Sequence, residues 1–377
     1  MKVCVSVHGR FHGFDLAREL NRYGALGGLI TTYPRFAVRQ YLGAIDSLST
    51  VPLLEIKRRM CQRLYGLCGD MDGRLAQSFA KFAAVNLPPC DLLVGWSSAT
   101  LEAIPIARDR GVRVVIERGS SHILHQTNLL KKLHARDNKV FTGTSSFIIE
   151  RELAEYEAAD SIAVPSSYAA QTFASHGIPL NKILVNPYGV DLEYFSPSRS
   201  RTNERPKILF VGQVGLRKGV PELLSAFSRL SKDADLCLIG PLDAGMPDPS
   251  QLKVQHLGAM PISALPDYYR SADIFCLPSW EEGFPLVLLQ AMASGLPVVT
   301  TDTSGAKDII NPGIEGEIVA AGDVDALAQA LEGLLEDPVR AQEMGVAARA
   351  RVNDGFDWAS YGSRAYNIYK ELTEERG

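Results

Sequence analysis

This 377-residue chain has no apolar run near the roughly 20 residues that would span a bilayer. It has little cysteine: six residues, Cys4, Cys61, Cys68, Cys90, Cys237 and Cys276, with no CxxC pair. That excludes a disulfide scaffold and the usual metal-ligand spacings. It has little net charge: 39 Lys+Arg against 43 Asp+Glu give -4, so no overall basic footprint for nucleic acid exists. It has no fixed-period repeat and no low-complexity tract, which excludes solenoids and collagen-like chains. The opening residues MKVCVSVHGRFHG hold too short an apolar run for a secretory leader and read instead as a strand. Together with unpaired cysteines in strand-like runs, this predicts a reducing, cytoplasmic setting.

What is present is an ordinary globular composition, 46% hydrophobic and 22% charged. At roughly 150 residues per domain, the length predicts two domains. The charge is unevenly split. Residues 1–198 carry 22 Lys+Arg and 18 Asp+Glu, and the remainder carries 17 and 25. Opposite signs suggest different partners for the two halves.

Apolar, β-branched runs alternate with helical periods almost throughout. Strands are predicted at Lys2–His8, Leu26–Thr32, Asp91–Trp96, Val112–Glu117, Ser161–Pro165 and Ile183–Asn186. After the polar, proline-flanked stretch Ser196–Pro206, the best linker candidate, the alternation restarts. Strands follow at Lys207–Val211, Leu236–Gly240, Val254–Leu257, Ile274–Leu277, Pro297–Thr301 and Gly316–Val319. Continuous apolar strands alternating with helices predict parallel sheets covered on both faces, hence two doubly wound α/β domains. Ligands of such sheets bind beyond the carboxyl ends of the strands, here expected in a cleft between the domains. Residues 40–80 are less regular. Leu54–Tyr65 combines apolar positions at helical spacing with Lys57, Arg58, Arg59 and Arg63. It reads either as a solvated helix or as one lying on an anionic membrane surface.

Chemistry concentrates in Pro278–Thr300. A strand ends at Leu277, a loop carries Glu281, Glu282 and Gly283, and a helix starts near Pro285, where the missing proline N–H is not needed. The N–H groups of Gly283, Phe284, Leu286 and Val287, with the helix dipole, form an expected anion site. Gln290 shares a helical face with Leu286, so Glu282 and Gln290 should bracket sugar or ribose hydroxyls. In Val211–Gly219, Gly212 and Gly215 permit a tight turn beside phosphate, Gln213 lies between them, and Arg217 and Lys218 add positive charge. His8 and His12 follow the first strand as candidate polar site residues.

The Pro278–Thr300 segment resembles the signature of glycosyltransferase family 4. Glu282, Gly283, Phe284, Ala291, Ala293, Gly295, Pro297, Val298 and Val299 match in register, while Gln290 stands where the family has a second Glu. Val211–Gly219 resembles the family's diphosphate-binding Gly-Arg-x5-Lys-Gly region: Lys218 matches, Gln213 replaces the Arg, and Arg217 is the candidate substitute. Val185–Pro197 resembles the family's interdomain hinge.

The resemblance implies a GT-B fold, two Rossmann-like doubly wound domains facing a cleft. Residues 1–198 would bind the acceptor, with the C-terminal helix 355–377 packing back on them. Residues 199–354 would bind a nucleoside-diphosphate sugar, UDP- or GDP-linked. It implies a retaining transferase that needs no metal or other cofactor, acting on a saccharide or lipid-linked acceptor of an envelope, capsule or glycolipid pathway. It also implies that Met260 lies at the base-binding edge, that the first loop, which here holds Gly9, His12 and Gly13, meets the donor diphosphate and the acceptor, and that His122 or Arg118 contacts the transferred sugar. A GT-B epimerase and a degenerate, non-catalytic partner subunit share the architecture and stay open.

Overall fold

The computed structural model describes residues 1–65, 69–141, 143–197, 205–244, 246–249 and 254–374, with backbone alone for 62–65, 69 and 70. Most of the predicted linker, 198–204, and the side chain of Arg63 therefore lie outside the described residues. The chain divides into two compact units. The first is Met1–Pro165, Ala170–Asn186 and Trp358–Gly377; the second is Ser166–Ala169 and Pro187–Asp357.

The first unit is built on seven parallel strands: β1 (Val3–Val7), β2 (Leu26–Thr31), β3 (Leu48–Thr50), β4 (Leu92–Trp96), β5 (Arg113–Glu117), β6 (Ser161–Val164) and β7 (Ile183–Val185). Their order is β3-β2-β1-β4-β5-β6-β7. β1 and β4 are buried along their whole length, which is why they read as unbroken apolar runs. The half-exposed edge strand β3 has no apolar run and carries no sequence signal. Helices relevant below are α1 (Gly13–Arg22), α2 (Arg35–Leu42), α3 (Pro52–Tyr65), α4 (Gly69–Val85), α5 (Ala103–Asp109), α6 (Ile123–Arg136), α7 (Ser146–Ala158) and α8 (Ser167–Ala174). Ser145 caps α7, its hydroxyl accepting from the Ile148 N–H. The last helix of the chain, Trp358–Glu374, packs on α1. Gly362 sits against Glu19, where an added Cβ would come 2.2 Å from the Glu19 Cβ, and Tyr366 stacks on Tyr23.

The second unit holds six parallel strands: β8 (Lys207–Val211), β9 (Asp235–Ile239), β10 (Gln255–His256), β11 (Ile274–Leu277), β12 (Val298–Thr301) and β13 (Gly316–Val319). Their order, β10-β9-β8-β11-β12-β13, repeats that of the first unit's first six strands. The helices used below are α9 (Val220–Phe227), α10 (Leu265–Ser271), α11 (Leu286–Ala293), α12 (Val324–Glu336) and α13 (Pro338–Asn353). Residues 187–197, placed with the first half on sequence grounds, belong to the second unit. The Val190 N–H donates to Phe356 O, and the Arg349 guanidinium on α13 donates to the carbonyls of Leu192 and Phe195. Cys4, Cys237 and Cys276 are buried in strands as small apolar side chains. No helix among the described residues is long and apolar enough to cross a membrane.

Candidate active site

In each sheet the strand order reverses at one place, between β1 and β4 and between β8 and β11. In sheets of this kind the ligand crevice lies at that point, beyond the carboxyl ends of the two strands. In the second unit the loop after β8 carries Gly212–Gly219 and the loop after β11 carries Pro278–Pro285. The sequence separates these loops by 58 residues, 220–277; the strand order makes them neighbours.

Four charges meet where they touch. Arg217 Nη1 donates to Glu281 Oε2 at 3.0 Å, and its Nη2 lies 3.7 Å from Glu282 Oε2. The Lys218 ammonium donates to Glu282. Glu281 is fully buried, while Arg217 keeps a third of its side-chain surface exposed. The Trp280 N–H donates to Arg217 O at 2.8 Å, tying the two loops together through their backbones. Two cations and two carboxylates balance, so an anion entering this crevice would compete with Glu282 for Lys218 rather than meet bare positive charge.

Glycine is required at one point here. Gly219, beside Lys218, has φ 66°, and a Cβ on it would lie 1.9 Å from Pro278 O. Gly215 lies against Asp243 in the loop after β9. Gly212 opens the same turn with its N–H donating to Ile239 O at 2.9 Å.

Gln213 is exposed and its amide donates to Asp243, so it is held toward the β9 loop. α11 starts at Leu286 with Pro285 as its cap, and the first-turn N–H groups of Leu286 and Val287 have no partner within the helix. Gly283 is fixed through its carbonyl, which accepts from the Ser166 hydroxyl at 2.6 Å. The Phe284 ring is buried between Tyr188 and Phe356, so its side chain is core and only its backbone can serve a ligand. Gln290 Oε1 accepts from the Tyr269 hydroxyl at 3.0 Å, which turns the amide oxygen toward α10 instead of toward Glu282. Met260 is half-buried in the loop after β10. That loop is braced by His256 Nε2 against Gly240 O at 2.9 Å.

In the first unit, His12 caps the crevice after β1. Its Nε2 is 2.9 Å from Glu117 Oε1 at the end of β5, both side chains are buried, and its ring lies 4.9 Å from that of Trp96 at the end of β4. Gly9 adopts φ 99°, and its carbonyl accepts from Thr31 Oγ1 at 3.0 Å. Gly13 begins α1 where a Cβ would press on Trp96 and Val7 at 3.0 Å.

His122 and Arg118, the candidate sugar contacts, are both engaged with neighbouring residues of the first unit. His122 is buried, its Nδ1 accepts from the Leu124 N–H as the cap of α6, and its ring stacks on His176 at 4.3 Å. Burial first, then His176 and Arg118, push its pKa down to about 3, so the ring is neutral. Arg118 donates to Glu152 at 2.9 Å, to Gln126 at 3.0 Å and to Ser121 O at 3.2 Å. Both hold the β5–α6 connection in place.

The residues that sequence reasoning passed over are Asp243, Tyr269 and Glu117. Glu281 was placed on the loop beside Glu282 but given no role. Asp243 and Glu117 carried only the weak signal of an acid at a strand's carboxyl end. Tyr269 carried none, being an aromatic at a core position of α10.

Residues 205–337 match the family model described as Glycosyl transferases group 1. The chain is 32% identical over 248 residues to the GDP-mannose-dependent alpha-(1-6)-phosphatidylinositol monomannoside mannosyltransferase of Mycolicibacterium smegmatis, covering 58% of this chain and 64% of the relative. It is 30% identical over 222 residues to the MMP alpha-(1->4)-mannosyltransferase of Mycolicibacterium hassiacum, covering 56% of this chain and 53% of the relative. The chain thus spans between about half and two thirds of the length of these curated relatives. Among solved structures, sucrose-phosphate synthase from Thermosynechococcus elongatus superposes with a TM-score of 0.72 at 19% identity, covering all of both chains. Two Rossmann-like sheets and these similarities show a GT-B fold whose second unit holds a region, residues 205–337, that matches glycosyl transferases group 1.

Proposed function

We propose that the chain is a retaining hexosyltransferase. It moves a sugar from a nucleoside-diphosphate sugar, UDP- or GDP-linked, to a saccharide or lipid-linked acceptor in envelope polysaccharide, capsule or glycolipid synthesis. One observation carries this reading: Arg217, Lys218 and Glu282 converge at the switch point of the second sheet. There the leaving diphosphate takes Lys218 from Glu282 and shares Arg217, so the negative charge that develops as the anomeric C–O bond breaks is met by two cations. Glu282, released from Lys218, accepts from the hydroxyls of the transferred sugar and orients it. With this charge supply the reaction is proposed to need no metal or other cofactor. Similarity to a GDP-mannose-dependent enzyme supports a guanine base among the candidates. The proposed setting is the cytoplasm.

The test is a thermal-shift panel of UDP-, GDP- and ADP-sugars. At least one should raise Tm, by about 2.7 kcal/mol of stabilisation when present at 100 times its Kd. Stabilisation without transfer to any acceptor would favour a non-catalytic partner subunit, and no stabilisation by any donor would end the transferase reading.

The basic first half supports a peripheral membrane contact. On α3, Leu53, Ile56 and Met60 are 76%, 53% and 56% exposed, a ridge at helical spacing flanked by exposed Lys57 and Arg59. Arg58 and Arg59 both bind Glu55, so Lys57 is the cation on this face without an ion pair among the described residues. Sedimentation with anionic vesicles should pull the protein down and neutral vesicles should not. Leu53→Ser combined with Ile56→Ser should abolish the effect. Equal recovery with both vesicle types, or none with either, would rule the contact out.

A further inference from the structure

Two acids stand side by side in the loop after β11, and they are held differently. Glu282 is partly exposed and accepts from the Lys218 ammonium. Glu281 has no exposed side-chain surface, and its Oε2 accepts from Arg217 Nη1 at 3.0 Å. A carboxylate out of reach of water stays with its partner, because parting them leaves an uncompensated buried charge. A partly solvated carboxylate can change partners, since water replaces the lost bond. The Lys218–Glu282 pair is therefore exchangeable and the Arg217–Glu281 pair is fixed.

The β8 and β11 loops are already joined without the Glu281 side chain. The Trp280 N–H donates to Arg217 O at 2.8 Å, the Trp280 indole N–H donates to Glu222 Oε1 on α9 at 3.0 Å, and Gly219 packs against Pro278 O. What Glu281 adds is the direction of one guanidinium. A third of the Arg217 side chain is exposed, and an untethered arginine carries about 2 kcal/mol of rotamer entropy. Holding Nη1 sets which way the planar fork faces, and Nη2 then stands 3.7 Å from Glu282 Oε2. The Lys218 ammonium addresses the same oxygen. Glu282 Oε2 thus marks the position where one anionic oxygen can meet both cations.

We propose that Glu281 is a positioning residue: its buried carboxylate holds the Arg217 guanidinium beside the Lys218 ammonium, so that both cations meet the same oxygen of a nucleoside diphosphate. Its reach, not its charge, does this, because a negative charge beside Arg217 offsets part of the field the diphosphate feels. Its part in transfer rests on the transferase reading; its part in diphosphate binding does not.

The experiment is isothermal titration calorimetry of the full chain with UDP, GDP and ADP. Wild type should bind at least one. Glu281→Asp keeps the charge but is one methylene shorter, so the carboxylate withdraws from Arg217 and Kd should rise about fivefold or more, the worth of one hydrogen bond of about 1 kcal/mol. Glu281→Gln loses the charge but keeps an accepting oxygen at the same reach, so Kd should stay within about threefold of wild type or fall. With Arg217→Ala present, the Asp and Gln forms should bind alike, because nothing is left to position. A role in stability alone would not produce that coupling. Where Arg217→Ala does not fold, the order of the two single variants decides. A smaller rise in the Asp form, a larger rise in the Gln form, or an Asp–Gln difference that persists without Arg217 would overturn the role. Turnover of UDP-glucose, ADP-glucose and GDP-mannose is read separately. A donor that turns over while Glu281→Asp binds the diphosphate normally sinks the positioning role alone. The expected Asp–Gln order with no turnover of any donor sinks the transferase reading alone, and no diphosphate binding by wild type sinks both.

Discussion

Lys218→Ala is expected to lower kcat/KM for the donor sugar by about 10²–10³-fold, equivalent to about 2.7–4 kcal/mol of transition-state stabilisation. The charge on the leaving diphosphate grows as the glycosidic bond breaks, and Lys218 is a compact point charge held in the crevice with little of its side chain exposed. Its ion-pair partner is Glu282, which is itself partly solvated, so removing the ammonium leaves no deeply buried ion unpaired. The fold should therefore survive, and steady-state kinetics with a parallel melting curve separates the two effects. Arg217→Ala is a less clean experiment. It removes an ion pair whose carboxylate, Glu281, is fully buried, and breaking a buried pair costs about 3–5 kcal/mol of stability. A Lys218→Ala enzyme with turnover within threefold of wild type would remove the ammonium from the mechanism.

Gly219→Ala should be among the most damaging single methyl additions in the second unit. The residue sits at φ 66°, where Ala costs about 1–2 kcal/mol. In addition, its new Cβ would be 1.9 Å from the backbone oxygen of Pro278, so β8 and β11 loops must separate. A total of about 3–5 kcal/mol corresponds to a fall in Tm of roughly 6–20 °C for a unit of this size. Activity should drop further than stability alone explains, because Arg217 and Lys218 ride on the displaced loop. Gly258→Ala is the matched control. It has nearly the same φ, 67°, but nothing within 4 Å of the added carbon, so it should cost the backbone term only. Differential scanning calorimetry that finds equal shifts for the two variants would mean the Pro278 contact carries no weight.

These two residues also mark how far local reading reaches. The Glu282-Gly283-Phe284 loop, the helix behind it and the Lys218-Gly219 pair are each contiguous, and their chemistry follows from residue type and spacing. The alternation of buried strands and helices is likewise written in the hydrophobic pattern, since a strand covered on both faces must be apolar throughout. The exposed edge strand β3 left no such trace, because a half-covered strand of three residues needs no apolar run.

Partner choice was not legible. Gln213 and Gln290 looked like ligand groups by position; one is held by Asp243 and the other by Tyr269. His122, a candidate sugar contact by position, also caps α6. Conversely, the pairs that shape the crevices, Arg217 with Glu281, His12 with Glu117, and Glu155 with the Ser98 loop, join residues 64, 105 and 57 positions apart.

The sequence by itself determined the two parallel α/β sheets and the polar loops that follow their strands. Only the tertiary structure decided which loops are neighbours, which carboxylate neutralises which cation, and where backbone strain collects. The physical reason is that strand order sets those distances. A hydrogen bond or ion pair depends on separations of about 3 Å, whereas hydrophobic periodicity records only which face of each element is buried.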